Sequence, residues 1–304
     1  MRVFVTGASG HIGSAVVPEL LRAGHQVVGL ARSDRSAAAL EAAGAEVHRG
    51  DLDDLDGLRE AAAGADGVIH LAFKPLGSTD IMEAVSVDLA AIKVLGAALE
   101  GSGKPLVSTS PTLPLSFVGQ ITDRPATERD SMAGGPRVEA ENAVIALADR
   151  GVRSSVVRLP PLVHSTLDRH GLGPTLIGIA RTKGVSGYVG DGANRWPAVH
   201  TLDAAKLYRL ALESATAGSR LHAVADPGIP FRQIAEAIGE KLAIPTASIA
   251  PDDAAEHFAH VAPFVALDNP VSSELTRDWL GWQPTHPALI EDLNQDHYFE
   301  RQVG

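Results

Sequence analysis

The chain has 304 residues, 45% of them hydrophobic, enough for one large α/β domain or two unequal ones sharing a core. It contains no cysteine, which excludes a disulfide framework, a thiolate metal site and a cysteine nucleophile. Lys and Arg number 26 against 37 Asp and Glu, a net charge of −11, so nucleic acid and anionic membrane surfaces are excluded as general partners, while a local basic site for one phosphate is not.

No apolar run reaches the roughly 18–20 residues of a membrane span. The opening Met1-Arg2-Val3-Phe4-Val5 lacks the basic and apolar regions of a signal peptide, so a cytoplasmic protein is expected. In chain order, Val/Ile/Leu-rich runs predict strands near Val3–Thr6, Gln26–Ala31, Glu46–Arg49, Gly67–Leu71, Leu106–Ser108 and Ser154–Arg158. Between them, segments of helical period predict helices near Ile12–Arg22, Ser36–Ala42, Leu55–Ala63, Ile81–Glu100 and Val138–Asp149. Right-handed crossovers assemble this α/β series into a doubly wound parallel sheet of the Rossmann type. From about Pro160 the pattern loosens into Pro/Gly punctuation around shorter helices, the mark of a smaller, mostly C-terminal substrate subdomain, with Trp196–Ala205 expected to return to the sheet. The expected division is 1–160 with about 191–225 for dinucleotide binding, and about 161–190 with 226–304 for substrate.

The segment Thr6-Gly7-Ala8-Ser9-Gly10-His11-Ile12-Gly13 lies between a predicted strand and a predicted helix. There Gly7 allows a tight turn, Gly10 close approach of backbone to phosphates, and Gly13 close packing of helix on sheet. The helix N-terminus then offers free N–H groups to a diphosphate, so Ser9, His11 and Ile12 join the glycines as candidate cofactor contacts. The second strand runs into Val28-Gly29-Leu30-Ala31-Arg32-Ser33-Asp34, without the acid that holds a ribose 2′-hydroxyl. Arg32, with Ser33 as a second donor, suits a 2′-phosphate, which favours NADP(H) over NAD(H). Asp34 is expected to turn away or cap the next helix. Asp51 and Leu52 are placed to bracket adenine, and Asp51 is equally suited to N-cap the following helix.

These residues resemble the extended short-chain dehydrogenase/reductase superfamily, the NAD(P)-dependent epimerase/dehydratase-like group, over nearly the whole chain. The resemblance also rests on Val68-Ile69-His70-Leu71-Ala72, Val107-Ser108-Thr109-Ser110, Arg158-Leu159-Pro160-Pro161 and Val199-His200-Thr201-Leu202-Asp203. It implies further cofactor contacts from Leu71, Ala72, Phe73, Ser108, Leu159 and Pro160, and a homodimer face on Ile81–Glu100 and Val138–Asp149. The family's reaction is hydride transfer between nicotinamide and a carbonyl or alcohol carbon, with a Ser and a Tyr-x-x-x-Lys pair. Ser110 falls at the Ser position, with Thr112 nearby. At the other two stand Arg137 and Glu141, and no other tyrosine has a lysine four residues on.

Three readings of that departure stay open. Arg137 and Glu141 at i,i+4 form a plain surface ion pair; or they are a replaced catalytic pair, Arg137 holding the ribose or polarising a carbonyl; or catalysis has been lost. Because arginine is a poor proton donor, the second reading requires another donor, and Tyr188, His164 or a water on Ser110 are the candidates. His200 is expected to pack structurally.

Relatives acting on nucleotide sugars resemble one another in an Arg four residues before the His of the Val-His segment; here that place holds Trp196, which disfavours such substrates. Trp196, Pro161, Leu162, Phe73, Phe117 and Tyr188 are candidates for an apolar pocket, each equally suited to the core. Lys74 can face a polar substrate group or solvent. No Gly-x-Ser-x-Gly elbow or His-Glu-x-x-His motif occurs, and no metal is expected. The acidic run Asp51–Asp56 reads as a helix start. The expectation is an NADPH-dependent reductase of a small or aromatic carbonyl or imine. The alternatives are an NADP(H)-binding regulatory or sensor protein and an epimerase-like enzyme with tightly bound cofactor.

Overall fold

Continuous apolar runs such as Val3-Phe4-Val5 belong to strands covered on both faces, and the computed structural model buries these three residues completely. The structure describes residues 1–74, 80–118 and 124–299. The first half alternates β1 (Arg2–Thr6), α1 (Gly13–Arg22), β2 (Gln26–Ala31), α2 (Asp34–Ala42), β3 (Glu46–Arg49), α3 (Leu55–Ala63), β4 (Gly67–His70) and α4 (Ile81–Leu99). It continues with β5 (Pro105–Pro111), α5 (Val138–Ala146) and β6 (Arg153–Leu159). Then come β7 (Leu162–His164), α6 (Leu172–Lys183), β8 (Ser186–Val189), β9 (Arg195–His200), α7 (Thr201–Ser214), β10 (Ser219–His222), β11 (Asp226–Pro230), α8 (Phe231–Leu242) and β12 (Thr246–Ile249).

The main sheet is seven-stranded in the order β10-β6-β5-β4-β1-β2-β3, and every pairing is parallel. Helices α1, α2 and α7 bury one face through Val16, Leu20, Leu40 and Leu207, and α3 and α4 bury the other through Leu58, Ala62, Leu95 and Leu99. This is the doubly wound Rossmann arrangement that the sequence predicts. Winding reverses between β1 and β4, which leaves a crevice beyond the carboxyl ends of those strands.

The Trp196–Ala205 expectation is corrected. β9 pairs with β7 and β11 in a separate three-stranded sheet, Thr201 starts α7, and the strand that returns to the main sheet is β10. The physical reason is Trp196, fully buried with its ring 4.9 Å from Phe231 in a second apolar core that also holds Leu162, Ile177, Ile234 and Phe258. Among the described residues, no helix is long and apolar enough to cross a membrane.

Candidate functional site

A groove of about 460 Å³ occupies the crevice, lined by Gly7, Ser9, Gly10, His11, Ile12 and Gly13 from the first turn and by Leu71, Ala72, Phe73 and Lys74 after β4. Leu30, Arg32, Ser36 and the run Gly50–Asp53 complete it. Gly7 has φ 66°, and a Cβ there would stand 2.7 Å from the Ala72 nitrogen, so only glycine lets the two backbones meet. A Cβ on Gly13 would lie 2.2 Å from the Gly7 carbonyl oxygen. Beyond this cradle, the backbone N–H groups of His11, Ile12 and Gly13 have no acceptor among the described residues. Three free donors at the positive end of α1 fit a diphosphate.

At the β2 end, Arg32 is exposed and makes no ion pair or hydrogen bond among the described residues. Asp34 has turned away to pair with Arg49. Ser33 N-caps α2 in a capping box with Ser36, and Ser36 rather than Ser33 lines the groove. Asp51 accepts from the N–H groups of Asp53 and Asp54 at 2.9 and 3.2 Å, whereas the N-cap of α3 is Asp54, which accepts from Gly57 at 3.0 Å. Lys74 is held between Asp53 and Glu83 at 3.1 and 3.3 Å.

Past the β4 end stands Arg137, immediately before α5, with φ 69°, a left-handed backbone that is uncommon for a non-glycine residue. Its guanidinium donates to Asp88 Oδ2 at 3.1 Å and to the Thr109 carbonyl at 3.0 Å, and lies 4.1 Å from the centroid of the Phe73 ring. Asp88 Oδ1 is 3.1 Å from His70 Nε2, and His70 Nδ1 is 2.7 Å from Thr6 Oγ1, which in turn accepts from the Ala72 N–H at 3.2 Å. With Asp88 ionised beside Arg137, His70 donates from Nε2 and Thr6 donates to Nδ1, so every group in this buried chain is satisfied. Burial pulls the Arg137 guanidinium below its ordinary pKa, and Asp88 opposes that pull. The chain links the Phe73 wall of the groove to the β1 turn.

Arg137 and Glu141 do not pair. The left-handed residue lies outside the helix and turns Arg137 toward α4, while Glu141 points to β6 and β10. It accepts from Arg158 at 3.0 and 2.5 Å and from Arg220 at 2.7 Å. Burial opposes ionisation of Glu141, but hydrogen bonds and charge from Arg158, with Arg220 and Ser110, outweigh it and hold the carboxyl down at about 2. The surface ion-pair reading of Arg137 and Glu141 is therefore overturned in favour of a buried network, and Ser110, itself buried, faces that network.

The remaining candidate proton donors do not converge on the groove. His164 is buried with Nδ1 2.8 Å from Asp292 Oδ2. Tyr188 lies on β8 against the second core, with the Arg232 guanidinium 5.5 Å from its ring centroid. Ser108 is buried within β5, Leu159 and Pro160 lie at the end of β6, and none of the three lines the groove. Nor do the apolar candidates form one pocket. Trp196 and Leu162 are core, Phe117 is 60% exposed, and only Phe73 reaches the groove. His200 packs structurally, stacked on His286 at 4.7 Å.

Sequence reasoning passed over Leu30, Ser36 and Asp53 in the groove and Asp88 beneath it. Asp88 had a signal: it is the lone acid on the apolar stripe Ala84, Val85, Asp88, Ala91, Ile92, Leu95 of α4.

A glycine turn at a topological switch point, with free N–H groups over a groove of this size, defines a dinucleotide-binding protein. The NAD(P)H-binding family model matches residues 7–112. An uncharacterised protein of Schizosaccharomyces pombe is 48% identical over 301 residues, 98% of this chain and 100% of its own. A 2-alkyl-3-oxoalkanoate reductase of Stenotrophomonas maltophilia is 28% identical over 227 residues, 72% of this chain and 67% of its own. In fold, the chain is similar to a dTDP-glucose 4,6-dehydratase of Streptomyces venezuelae solved with NAD bound, with a TM-score of 0.76 at 19% identity, covering 97% of this chain and 95% of that one. The chain belongs to one family with the Schizosaccharomyces pombe protein, carries an NAD(P)H-binding domain over residues 7–112, and has the fold of the extended short-chain dehydrogenase/reductase superfamily.

Proposed function

We propose that the protein is an NADPH-dependent oxidoreductase that reduces the carbonyl or imine carbon of a small or aromatic substrate. The observation that carries this reading is Arg137, a partly buried cation on a strained backbone, fixed by Asp88 against the Phe73 wall where the family places its tyrosine. Strain of this kind costs on the order of 1–3 kcal/mol and clusters at functional sites. When bound, the dinucleotide supplies the hydride. Arg32 would hold a 2′-phosphate and the free N–H groups of residues 11–13 a diphosphate, with Ala72 and Phe73 lining the same groove.

Arg137 stays charged and gives up no proton. Its role is to hold and polarise the reacting oxygen or nitrogen with the N–H groups left over from Asp88 and Thr109. The proton then comes from water, because a protonated imine would leave no lone pair for Arg137 to hold. An epimerase-like cycle fits less well, because it needs a base to begin oxidation. As part of this reading, the first core with α7 and β10 binds the dinucleotide, and the second core carries the substrate side.

A second reading, dinucleotide binding without turnover, is favoured by Ser110 and Glu141, which the Arg158–Arg220 network ties up. Oxidation of NADPH by the purified protein in a panel of aldehydes, ketones and cyclic imines, with NADH in parallel, separates the two. Substrate-dependent oxidation that prefers NADPH supports the reductase; binding of NADPH with no turnover across the panel favours the second reading.

A further inference from the structure

His11 lies inside the glycine turn and lines the groove, and its ring also reaches the second part of the molecule. Nε2 is 2.8 Å from Thr201 Oγ1, and Nδ1 is 3.6 Å from Oδ1 of Asp168, a carboxylate whose side chain is 2% exposed. The tautomer follows from the neighbours. Thr201 donates its only hydroxyl proton to the His164 carbonyl at 3.1 Å and accepts from Ser165 Oγ at 2.9 Å. Its remaining lone pair therefore accepts from His11, which places the imidazole proton on Nε2. A neutral His11 then turns the bare lone pair of Nδ1 toward Asp168. With Asp168 ionised, two acceptors face each other at the edge of the diphosphate position. One added proton, on either atom, sets a donor opposite an acceptor and lets the contact tighten into a hydrogen bond.

We propose that His11 and Asp168 form a one-proton dyad, and that binding of the cofactor's diphosphate is coupled to uptake of one proton from solvent by this pair. The inference rests on dinucleotide binding in the groove and not on the choice between NADPH and NADH. A bound diphosphate brings negative charge to the turn that carries His11, which disfavours the unprotonated dyad and favours the protonated one. By linkage, a ligand that raises the proton affinity of the pair is itself bound more tightly when the proton is present.

The surroundings set the free dyad to titrate in the right range. Burial pushes the Asp168 carboxyl up to about 6, against the N–H groups of Gly171 and His170 and the fields of His164 and His170. Burial, with His164 and His200, pushes His11 down to about 4. From the C-terminal segment, Tyr298 and Asp292 face the same cluster; the Tyr298 hydroxyl accepts from the Ser165 N–H at 2.9 Å. Near neutral pH the free dyad is thus largely unprotonated. Dinucleotide affinity falls as pH rises from about 6 toward the pKa of the bound state, by up to about tenfold per pH unit, the limit for one proton.

The test is calorimetric titration of NADPH and of NADH into wild type, Asp168→Asn and His11→Gln near neutral pH, in buffers of different ionisation enthalpy. NADPH carries a titrating 2′-phosphate and NADH does not, so the difference between wild type and variant, and the NADH arm, isolate the dyad. Asp168→Asn keeps an oxygen for the Gly171 N–H, and His11→Gln gives an independent reading should that variant fold poorly. The expected result is proton uptake by wild type with either dinucleotide and its loss in both variants, together with a flattened pH dependence of Kd. Equal uptake in wild type and variants, or none in wild type, overturns the dyad while leaving cofactor binding intact. Failure of folded wild type to bind either dinucleotide overturns the reading of the groove as well.

Discussion

Arg137 and Asp88 meet between α4 and α5 at 3.1 Å, and the carboxylate is almost wholly buried. Among the described residues, neither charge has another ion-pair partner that would compensate its loss, apart from His70 on Asp88. The pair is also what spans the Phe73 wall and the β1 turn, so it joins stability to the shape of the cofactor groove.

Arg137→Met leaves Asp88 buried without its cation and lowers unfolding free energy by about 3–5 kcal/mol. Adding Asp88→Asn restores part of that loss, because the orphaned charge is gone. Chemical denaturation of both single variants and the double variant checks this; strictly additive losses contradict the pairing.

Replacing Arg32 with Ala removes the exposed cation at the end of β2. NADPH binding weakens by about 10- to 100-fold, the loss of a charge-assisted contact, while NADH binding is unchanged. Titration of both cofactors reads this directly, and equal losses for the two assign Arg32 to something other than the 2′-phosphate.

Glu141 titrates in the fold at about 2, below the ordinary carboxylate value of 4.5. A depressed carboxylate contributes stability that is fully present above its unfolded pKa and is lost as pH falls through the folded value. Glu141→Gln therefore destabilises the protein at neutral pH, and its deficit relative to wild type shrinks between about pH 4.5 and pH 2. Denaturation midpoints across this range provide the comparison. A variant of full stability but reduced turnover would instead assign Glu141 to the chemistry.

Gly7→Ala meets the Ala72 backbone at 2.7 Å and must also adopt φ 66°. Left-handed strain alone costs on the order of 1–3 kcal/mol. The expected outcome is a lowered Tm and loss of affinity for both dinucleotides, read by thermal melts and cofactor titration; normal affinity contradicts the close approach of turn and β4 loop.

The dinucleotide half was legible in the sequence because its signals are local. Gly7, Gly10 and Gly13 sit between a strand and a helix that the apolar period fixes, and Gln26–Ala31, Glu46–Arg49 and Leu55–Ala63 emerge with the bounds that periodicity predicts. The partners of Arg137 and Glu141 were not legible. A helical spacing of four assumes both residues lie on the helix, and the left-handed backbone at Arg137 breaks that assumption. Asp168 gave no signal at all, since it meets His11 only through the packing of the β7–α6 loop on the glycine turn. The sequence leaves Trp196 open between pocket and core, because large aromatics suit both, and packing on Phe231 places it in the core.

A reductase that works without the Tyr-x-x-x-Lys pair is tested most directly by following the absorbance of reduced nicotinamide with purified wild type and Arg137→Lys. The expected result is substrate-dependent oxidation, faster with NADPH than with NADH, and a marked fall in kcat for Arg137→Lys, because lysine keeps the charge and loses the planar fork. Turnover undiminished in Arg137→Lys, or a wild type that binds NADPH and oxidises it with no carbonyl or imine, would contradict it.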